Sequence, residues 1–340
     1  MSQTMSATSV AAAARASDQQ AVEVVDLRKT YRGKGGDVEA VKGVSFAVAP
    51  GTIFALLGPN GAGKSTTLRI CTTLSRPTSG RVRVFGVDVA AEPQRARRLI
   101  GVVAQRSGVD PEATGRENLE LQGRLYGLSG AALRGRVDEL LQRFGLAHAA
   151  GRQVGTYSGG MQRRLDIALG LVHRPRVLFL DEPTTGLDPD IRVAMWREIA
   201  ALTDDEGLTV VLTTHYLEEA DELAERLAIL DGGSIVAAGT SADLKARLRG
   251  DAVTVELGDA DAAARAADLL QTVAGVSDIT TDGTTVHSRV SDGATAVPAV
   301  VAALDGAGLP PASIQVARPS LSDVYLSATG HVYADGTSPT

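Results

Sequence analysis

Hydrophobic and polar positions divide the chain into three kinds of stretch. Residues 22–27 and 41–48 alternate apolar with polar side chains, the period of a half-buried strand, and a glycine-rich turn at 33–37 separates them. Apolar runs follow at 53–57, 100–104, 177–180 and 210–212, the pattern of strands covered on both faces in a parallel sheet. A shorter strand is expected at 82–85. Helical spacing marks residues 64–74, two helices within 110–144 parted by Gly127 and Gly130, and further helices at 158–172 and 216–225. Strands at 227–230 and 235–238 flank the hairpin turn Asp231-Gly232-Gly233, and a helix at 242–248 closes a first domain expected to span 21–249.

Beyond Gly250 the order changes to strand 252–257, helix 259–273, strands 276–281 and 285–290 around Asp282-Gly283, helix 295–304 and strand 312–317. That β-α-β-β-α-β succession is the ferredoxin-like split arrangement, so a small α+β domain is expected at 250–330. Ser320 and Asp323 fit a capping box for a last helix ending near Ala328. The stretch 1–20, rich in Ser, Ala, Thr and Gln, reads as a mobile arm, and 331–340 as a tail.

Composition sharpens this picture at three points. Apolar residues at 44% and charged residues at 22% are globular values. The net charge of -6 is uneven: residues 1–249 hold 31 Lys/Arg against 29 Asp/Glu, the remainder 3 against 11, so no nucleic-acid partner is expected. Cys71, the only cysteine, excludes an intrachain disulfide and a cysteine zinc site, and is expected to be a small packed side chain. No apolar run reaches the roughly 18 residues a bilayer crossing requires, since Pro298 and Asp305 interrupt the best stretch. No signal pattern opens the chain, so it is expected to be soluble and to meet a membrane only through a partner.

The chemistry centres on Gly58-Pro59-Asn60-Gly61-Ala62-Gly63-Lys64-Ser65, a G-x-x-x-x-G-K-[ST] loop between a strand and a helix. Its glycines let backbone N–H groups turn toward an anion at a helix N-terminus. Lys64 brings charge to the β- and γ-phosphates, the Ser65 hydroxyl is placed for Mg²⁺, and Thr66 continues the first turn. The run ending in Asp181-Glu182 puts two carboxylates at the ligand edge of a parallel sheet, one to orient Mg²⁺ and one to take a proton from water. His215, just past the next strand, stands at the same edge, within reach of a γ-phosphate or that water. Gln105 closes a buried strand, where its amide needs a partner. Ser158 caps a helix, and with Gly159, Gly160 and the basic pair Arg163-Arg164 it offers a second anion-accepting N-terminus. Tyr31, between the first two strands, is a ring that could stack on a purine. The acidic residues of helix 216–225 suit its N-terminal dipole and ask for no other role.

Together these residues resemble the ATP-binding subunit of an ATP-binding cassette (ABC) transporter over about residues 22–248. The likeness rests on the phosphate loop Gly58–Ser65, Gln105 as Q-loop residue, Tyr157-Ser158-Gly159-Gly160-Met161 as signature, Val177 to Glu182 as Walker B, Gly186-Leu187-Asp188 as D-loop and His215 as switch histidine. The signature departs from the usual L-S-G-G-Q at Tyr157 and Met161, with Gln162 one place later. The resemblance implies an α/β P-loop cassette with an antiparallel layer and a helical subdomain. It further implies ATP sandwiched between two copies of the chain, Mg²⁺ arranged by Ser65, Gln105 and Asp181, Glu182 as general base, and adenine stacked on Tyr31. The segments Arg318 to Leu326, Glu117-Asn118-Leu119 and Tyr126-Gly127-Leu128 are similar to those of daunorubicin and doxorubicin resistance exporters. An exporter ATPase is therefore expected, peripheral at the cytoplasmic face of the membrane, docking a separately encoded permease through the region near Gln105 to Tyr126. The rivals are an importer ATPase and a soluble cassette ATPase acting on ribosomes or nucleic acid, which commonly carries two cassettes or a long coiled coil.

Overall fold

The computed structural model describes residues 20–33, 36–248, 250–290 and 293–333. The arm expected at 1–20 lies outside them except for Gln20, as do residues 34 and 35 of the first turn and 334–340 of the tail. By compactness the chain divides into two units, residues 1–235 and 236–340.

In the first unit β1 (Val22–Tyr31) and β2 (Val38–Val48) pair antiparallel, with Tyr31 opposite Val38. The register slips between Val24 and Leu27, where Asp26 takes a φ of 44°, and this irregularity ends the period-2 pattern early. Tyr31 is thus the last residue of a strand and not part of the turn. β3 (Ile53–Leu57) is buried along its whole length and feeds the glycine loop into α1 (Lys64–Cys71). That helix stops three residues short of the expected 74, because the Thr72 hydroxyl donates back to Leu68 O and Thr73 turns to a φ of 64°. β4 (Ser79–Val84) and β5 (Val87–Asp88) complete an antiparallel sheet of order β2-β1-β4-β5.

α2 (Pro93–Leu99) has Pro in its first turn and buries only Ala96, so apolar spacing gave no sign of it. β6 (Ile100–Val103) follows. The helical insert consists of α3 (Gly115–Leu125), started by a Thr114/Glu117 capping box, and α4 (Gly130–Arg143). Then come α5 (Gly159–Leu171), β7 (Val177–Asp181), α6 (Pro189–Glu206), β8 (Thr209–Thr214), α7 (Leu217–Leu223), β9 (Arg226–Asp231) and β10 (Ser234–Gly239). The 18-residue α6 is a second helix that sequence patterning left unread.

The six strands order as β10-β9-β3-β8-β7-β6, and β9, β3, β8, β7 and β6 run parallel. Because β8 lies between β3 and β7, the loop after β3 and the carboxylates after β7 face each other across the end of β8. Leu56, Phe179, Val211 and Ile70 from this layer and Val24, Val44 and Val84 from the antiparallel layer form one core. Cys71 packs there as a small side chain, and burial pushes its thiol up to about 12.

The second unit contains α8 (Ser241–Arg247), β11 (Asp251–Glu256), α9 (Ala260–Leu270), β12 (Val276–Asp282), β13 (Thr285–Val290), α10 (Gly293–Gly306), β14 (Ser313–Ala317) and α11 (Leu321–Thr329). Its sheet, β12-β13-β11-β14, is antiparallel throughout, the pairing the ferredoxin-like succession requires. Val253, Val255, Leu270, Val286, Val300 and Leu304 fill its core. Among the described residues no helix is long and apolar enough to cross a membrane.

The Ser320/Asp323 capping box forms at the start of α11, with Asp323 N–H donating to Ser320 Oγ at 3.2 Å and Ser320 N–H donating to Asp323 Oδ2 at 2.8 Å. Ser320→Ala is expected to lower the unfolding free energy of this unit by about 1 kcal/mol, measured by urea denaturation of the full chain.

Candidate active site

The phosphate loop is shaped by steric limits. Gly63 has a φ of 99°, and a Cβ there would lie 2.5 Å from Ala40 O; at Gly58 a Cβ would drive into the Leu230 carbonyl. The loop delivers Lys64, the first residue of α1, into the interior. Its Nζ donates to Gly58 O at 2.7 Å and Pro59 O at 3.1 Å and stands 3.4 Å from Glu182 Oε1, with the two side chains only 4% and 6% exposed. Burial lowers the Lys64 pKa, and the charges of Glu182 and Asp181 oppose that shift.

Glu182 stands one residue past β7 at a φ of 46°, a left-handed conformation costly for any residue that carries a Cβ. Its N–H donates to both Thr213 O (3.1 Å) and Thr213 Oγ1 (3.0 Å), which hold the turn. Glu182 Oε2 accepts from Gln105 Nε2 at 3.1 Å and Thr185 Oγ1 at 3.2 Å, and lies 3.2 Å from His215 Nδ1. The hydrogen bond from His215 holds its pKa down to about 2, helped by Lys64 and opposed by burial. Asp181 makes a separate cluster: its Oδ1 accepts from Ser65 Oγ at 3.0 Å and Thr213 Oγ1 at 2.6 Å. Residues Asn60 to Thr66, Gln105 and Glu182 line a cavity of about 320 Å³.

Not every expected residue reaches that cavity. Tyr31 is 41% exposed, with the Lys29 ammonium 4.9 Å from its ring centre, and it is not among the lining side chains. Ser158 and Gly159 at the start of α5 and Asp188 at the start of α6 are exposed elsewhere on the surface, and Gly160 is buried behind them. Ser158 Oγ caps its helix by accepting from Met161 N–H at 3.3 Å. Tyr157 is buried and donates to Ala149 O at 2.7 Å, so this departure from the usual signature is a packing residue.

Three sequence readings change. Gln105 does not close the buried strand; β6 ends at Val103 and Gln105 sits exposed in the following loop, where Glu182 is its partner. Arg163 and Arg164 are not free for an anion. Arg163 is buried and donates to Pro183 O (2.6 Å), Ala104 O (2.8 Å), Asp181 O (3.2 Å) and Glu182 O (3.3 Å), while Arg164 pairs with Glu198. Arg163 thereby ties the backbone after β6 to that after β7, a role signalled by its place with Gly160, Ile167 and Gly170 on the buried face of α5. Among the acidic residues of α7, Glu219 is fully buried; its i, i+4 spacing to buried Leu223 was the available signal.

Residues 41–185 match the family model described as ABC transporter, and 239–329 the one described as ATP-binding protein DrrA1-3-like, C-terminal domain. The daunorubicin resistance ATP-binding protein DrrA3 of Streptomyces coeruleorubidus is 45% identical over 91% of this chain and 96% of its own. The chain belongs to the ABC transporter ATP-binding proteins of the daunorubicin/doxorubicin resistance type. The doxorubicin resistance ATP-binding protein DrrA of Mycobacterium tuberculosis is 46% identical over 92% of this chain and 94% of its own. A solved structure of the cassette MJ0796, a dimer in a post-hydrolysis state bound to ADP and Pi, aligns at a TM-score of 0.59 and 30% identity over 64% of this chain and 98% of that one. As a member of this family the chain is an ATP-binding ATPase.

The depressed Glu182 pKa fixes the sign of one pH effect. A carboxylate held below its unfolded value adds stability above about pH 4.5, and that stability is lost as pH falls toward about 2. The difference in unfolding free energy between the wild type and Glu182→Gln is therefore expected to narrow steadily as pH falls from 5, followed by urea melts at stepped pH.

Proposed function

We propose that this ATPase powers export of a hydrophobic drug, antibiotic or lipid through a separately encoded membrane permease, as a homodimer at the cytoplasmic face of the membrane. The observation that carries the export reading is relatedness to the drug-resistance proteins through more than 90% of the chain, including the DrrA-like C-terminal match.

In the hydrolytic cycle Lys64 and the backbone N–H groups between Asn60 and Thr66 hold the β- and γ-phosphates. Triphosphate draws the Lys64 ammonium away from Glu182, and loss of that counter-charge raises the basicity of the carboxylate. Glu182 then takes the proton of the attacking water, oriented by Gln105 and His215, with His215 steadying the γ-phosphate. The Ser65 hydroxyl and Asp181 carboxylate, 3.0 Å apart, are hard oxygen donors that fit Mg²⁺, with Gln105 at hand. Mg²⁺ would neutralise charge building on the phosphate oxygens.

The separation of Ser158, Gly159, Gly160 and Asp188 from the Lys64 cavity supports a dimer in which each copy completes the other's nucleotide site. The exposed ring of Tyr31 then takes the adenine. For the permease, Leu125 (73% exposed), Tyr126 and the guanidinium groups of Arg97 and Arg98 border a groove of about 740 Å³, suited to a short cytoplasmic helix of the partner. The domain at 250–330 serves dimerisation or regulation.

Glu182→Gln is expected to keep ATP binding, cut turnover by about 10²-fold or more, and accumulate dimer on size exclusion with ATP. Lys64→Ala should instead weaken nucleotide binding itself, read by fluorescent-nucleotide titration. Affinity capture from native membranes should recover a multi-span protein; recovery of none, or stimulation of ATPase activity by ribosomes, would overturn the export reading.

A further inference from the structure

Glu219 has no exposed surface, yet a leucine of similar size would fill its place in α7 without the desolvation a carboxylate suffers. What the carboxylate adds is direction. Its Oε1 accepts two hydrogen bonds at once, from Thr184 Oγ1 at 2.8 Å and from the indole Nε1 of Trp196 at 3.0 Å. Thr184 lies two residues past Glu182, in the turn that leads to Asp188. Trp196 sits on α6, the helix that begins immediately after Asp188. Glu219 itself is four residues past His215, on the helix that follows β8.

A second contact runs between the same elements. The Arg192 guanidinium of α6 lies 4.1 Å from the centre of the Tyr216 ring, which lies 4.1 Å from that of His215. The turn after Glu182, the helix after Asp188 and the segment bearing His215 are thus joined behind the site, with Glu219 the side chain common to all three.

We propose that Glu219 is a positioning residue for hydrolysis, holding the turn after Glu182 and helix α6 against the His215 segment so that Glu182 and His215 keep their 3.2 Å separation. Burial raises the Glu219 pKa, opposed by bonds from Thr214, Thr184 and Trp196; the charged groups facing it are Arg192 of α6 and Arg163 of α5. The inference rests on Glu182 acting as the base. The phosphate-binding residues make no contact with Glu219 among the bonds described, so its loss should act on turnover and not on nucleotide affinity.

The test compares Glu219→Leu, which preserves volume, with Glu219→Gln, which preserves an acceptor oxygen, both in the full chain. Glu219→Leu orphans the Thr184 and Trp196 donors and is expected to unfold at a somewhat lower temperature while remaining folded under assay conditions, bind fluorescent nucleotide within about twofold, and lose about 10²-fold in kcat at little-changed KM. Glu219→Gln should recover part of that loss. Trp196 is the only tryptophan, so its emission reports the indole bond directly: Glu219→Leu should shift the emission maximum. Wild-type kcat in Glu219→Leu overturns the proposal, and so does a parallel loss of nucleotide affinity and stability, the mark of a merely structural residue. Should Glu219→Leu fail to fold, Trp196→Phe removes a single donor and is expected to lower kcat about tenfold at unchanged affinity; wild-type kcat there overturns the proposal equally. Retained hydrolysis in Glu182→Gln, together with the expected emission shift in Glu219→Leu, would place the fault in the assignment of the base.

Discussion

Everything in the nucleotide site depends on keeping Lys64 and Glu182 together out of water. Each would be costly to bury alone, and at 3.4 Å their attraction offsets that cost only while the geometry holds. Strand order supplies the geometry. β3 leads to Lys64 and β7 to Glu182, and β8 between them spaces the two loops. One residue of that middle strand, Thr213, serves both carboxylate positions: its hydroxyl donates to Asp181, and it accepts from the N–H of Glu182. The left-handed turn at Glu182 is affordable because Thr213 meets it with two acceptors.

A second layer of buried polar groups keeps the loops from relaxing. Arg163 approaches from α5 and meets the carbonyls of Ala104, Asp181, Glu182 and Pro183, so the strand ends bearing Gln105 and Glu182 move as one piece. Glu219 approaches from α7 and ties in Thr184 and Trp196. Both lie on buried helix faces, Glu219 beside Ala220 and Leu223 and Arg163 beside Ile167 and the buried Asp166. A chain that needed only a stable core could place leucine there; a guanidinium and a carboxylate instead fix where the neighbouring backbone and side chains sit.

The site is also divided. The anion-holding loop, Gln105 and Glu182 line one cavity, with Asp181 and His215 placed directly behind Ser65 and Glu182, whereas Ser158, Gly159 and Asp188 open onto solvent at the starts of two other helices. Helix starts that expose N–H groups are suited to anions, and a second copy is the natural source of one. In the proposed dimer this division would make hydrolysis depend on assembly: charge held between two chains would draw them together, and removing the γ-phosphate would weaken that hold.

The phosphate loop, the carboxylates after β7 and His215 were legible because their chemistry is contiguous with the strands that present it, and the β-α-β-β-α-β order survived because its elements are regular and short in connection. Tyr31 and Gln105 were read in the wrong local structure, since a register slip and an early strand end leave no mark on hydrophobic period. α2 and α6 escaped because one buries a single alanine and the other shows little amphipathic contrast. Motif order along the chain was enough to pick out the glycine loop with Lys64, the Asp181-Glu182 pair and His215 as the candidates for phosphate and proton chemistry. It took the packed fold to turn Arg163 and Glu219 inward and to bring Glu182 against Lys64, Gln105 and His215 at once, because those contacts join residues 30 to 120 positions apart, or lie on a helix face whose burial depends on what packs against it.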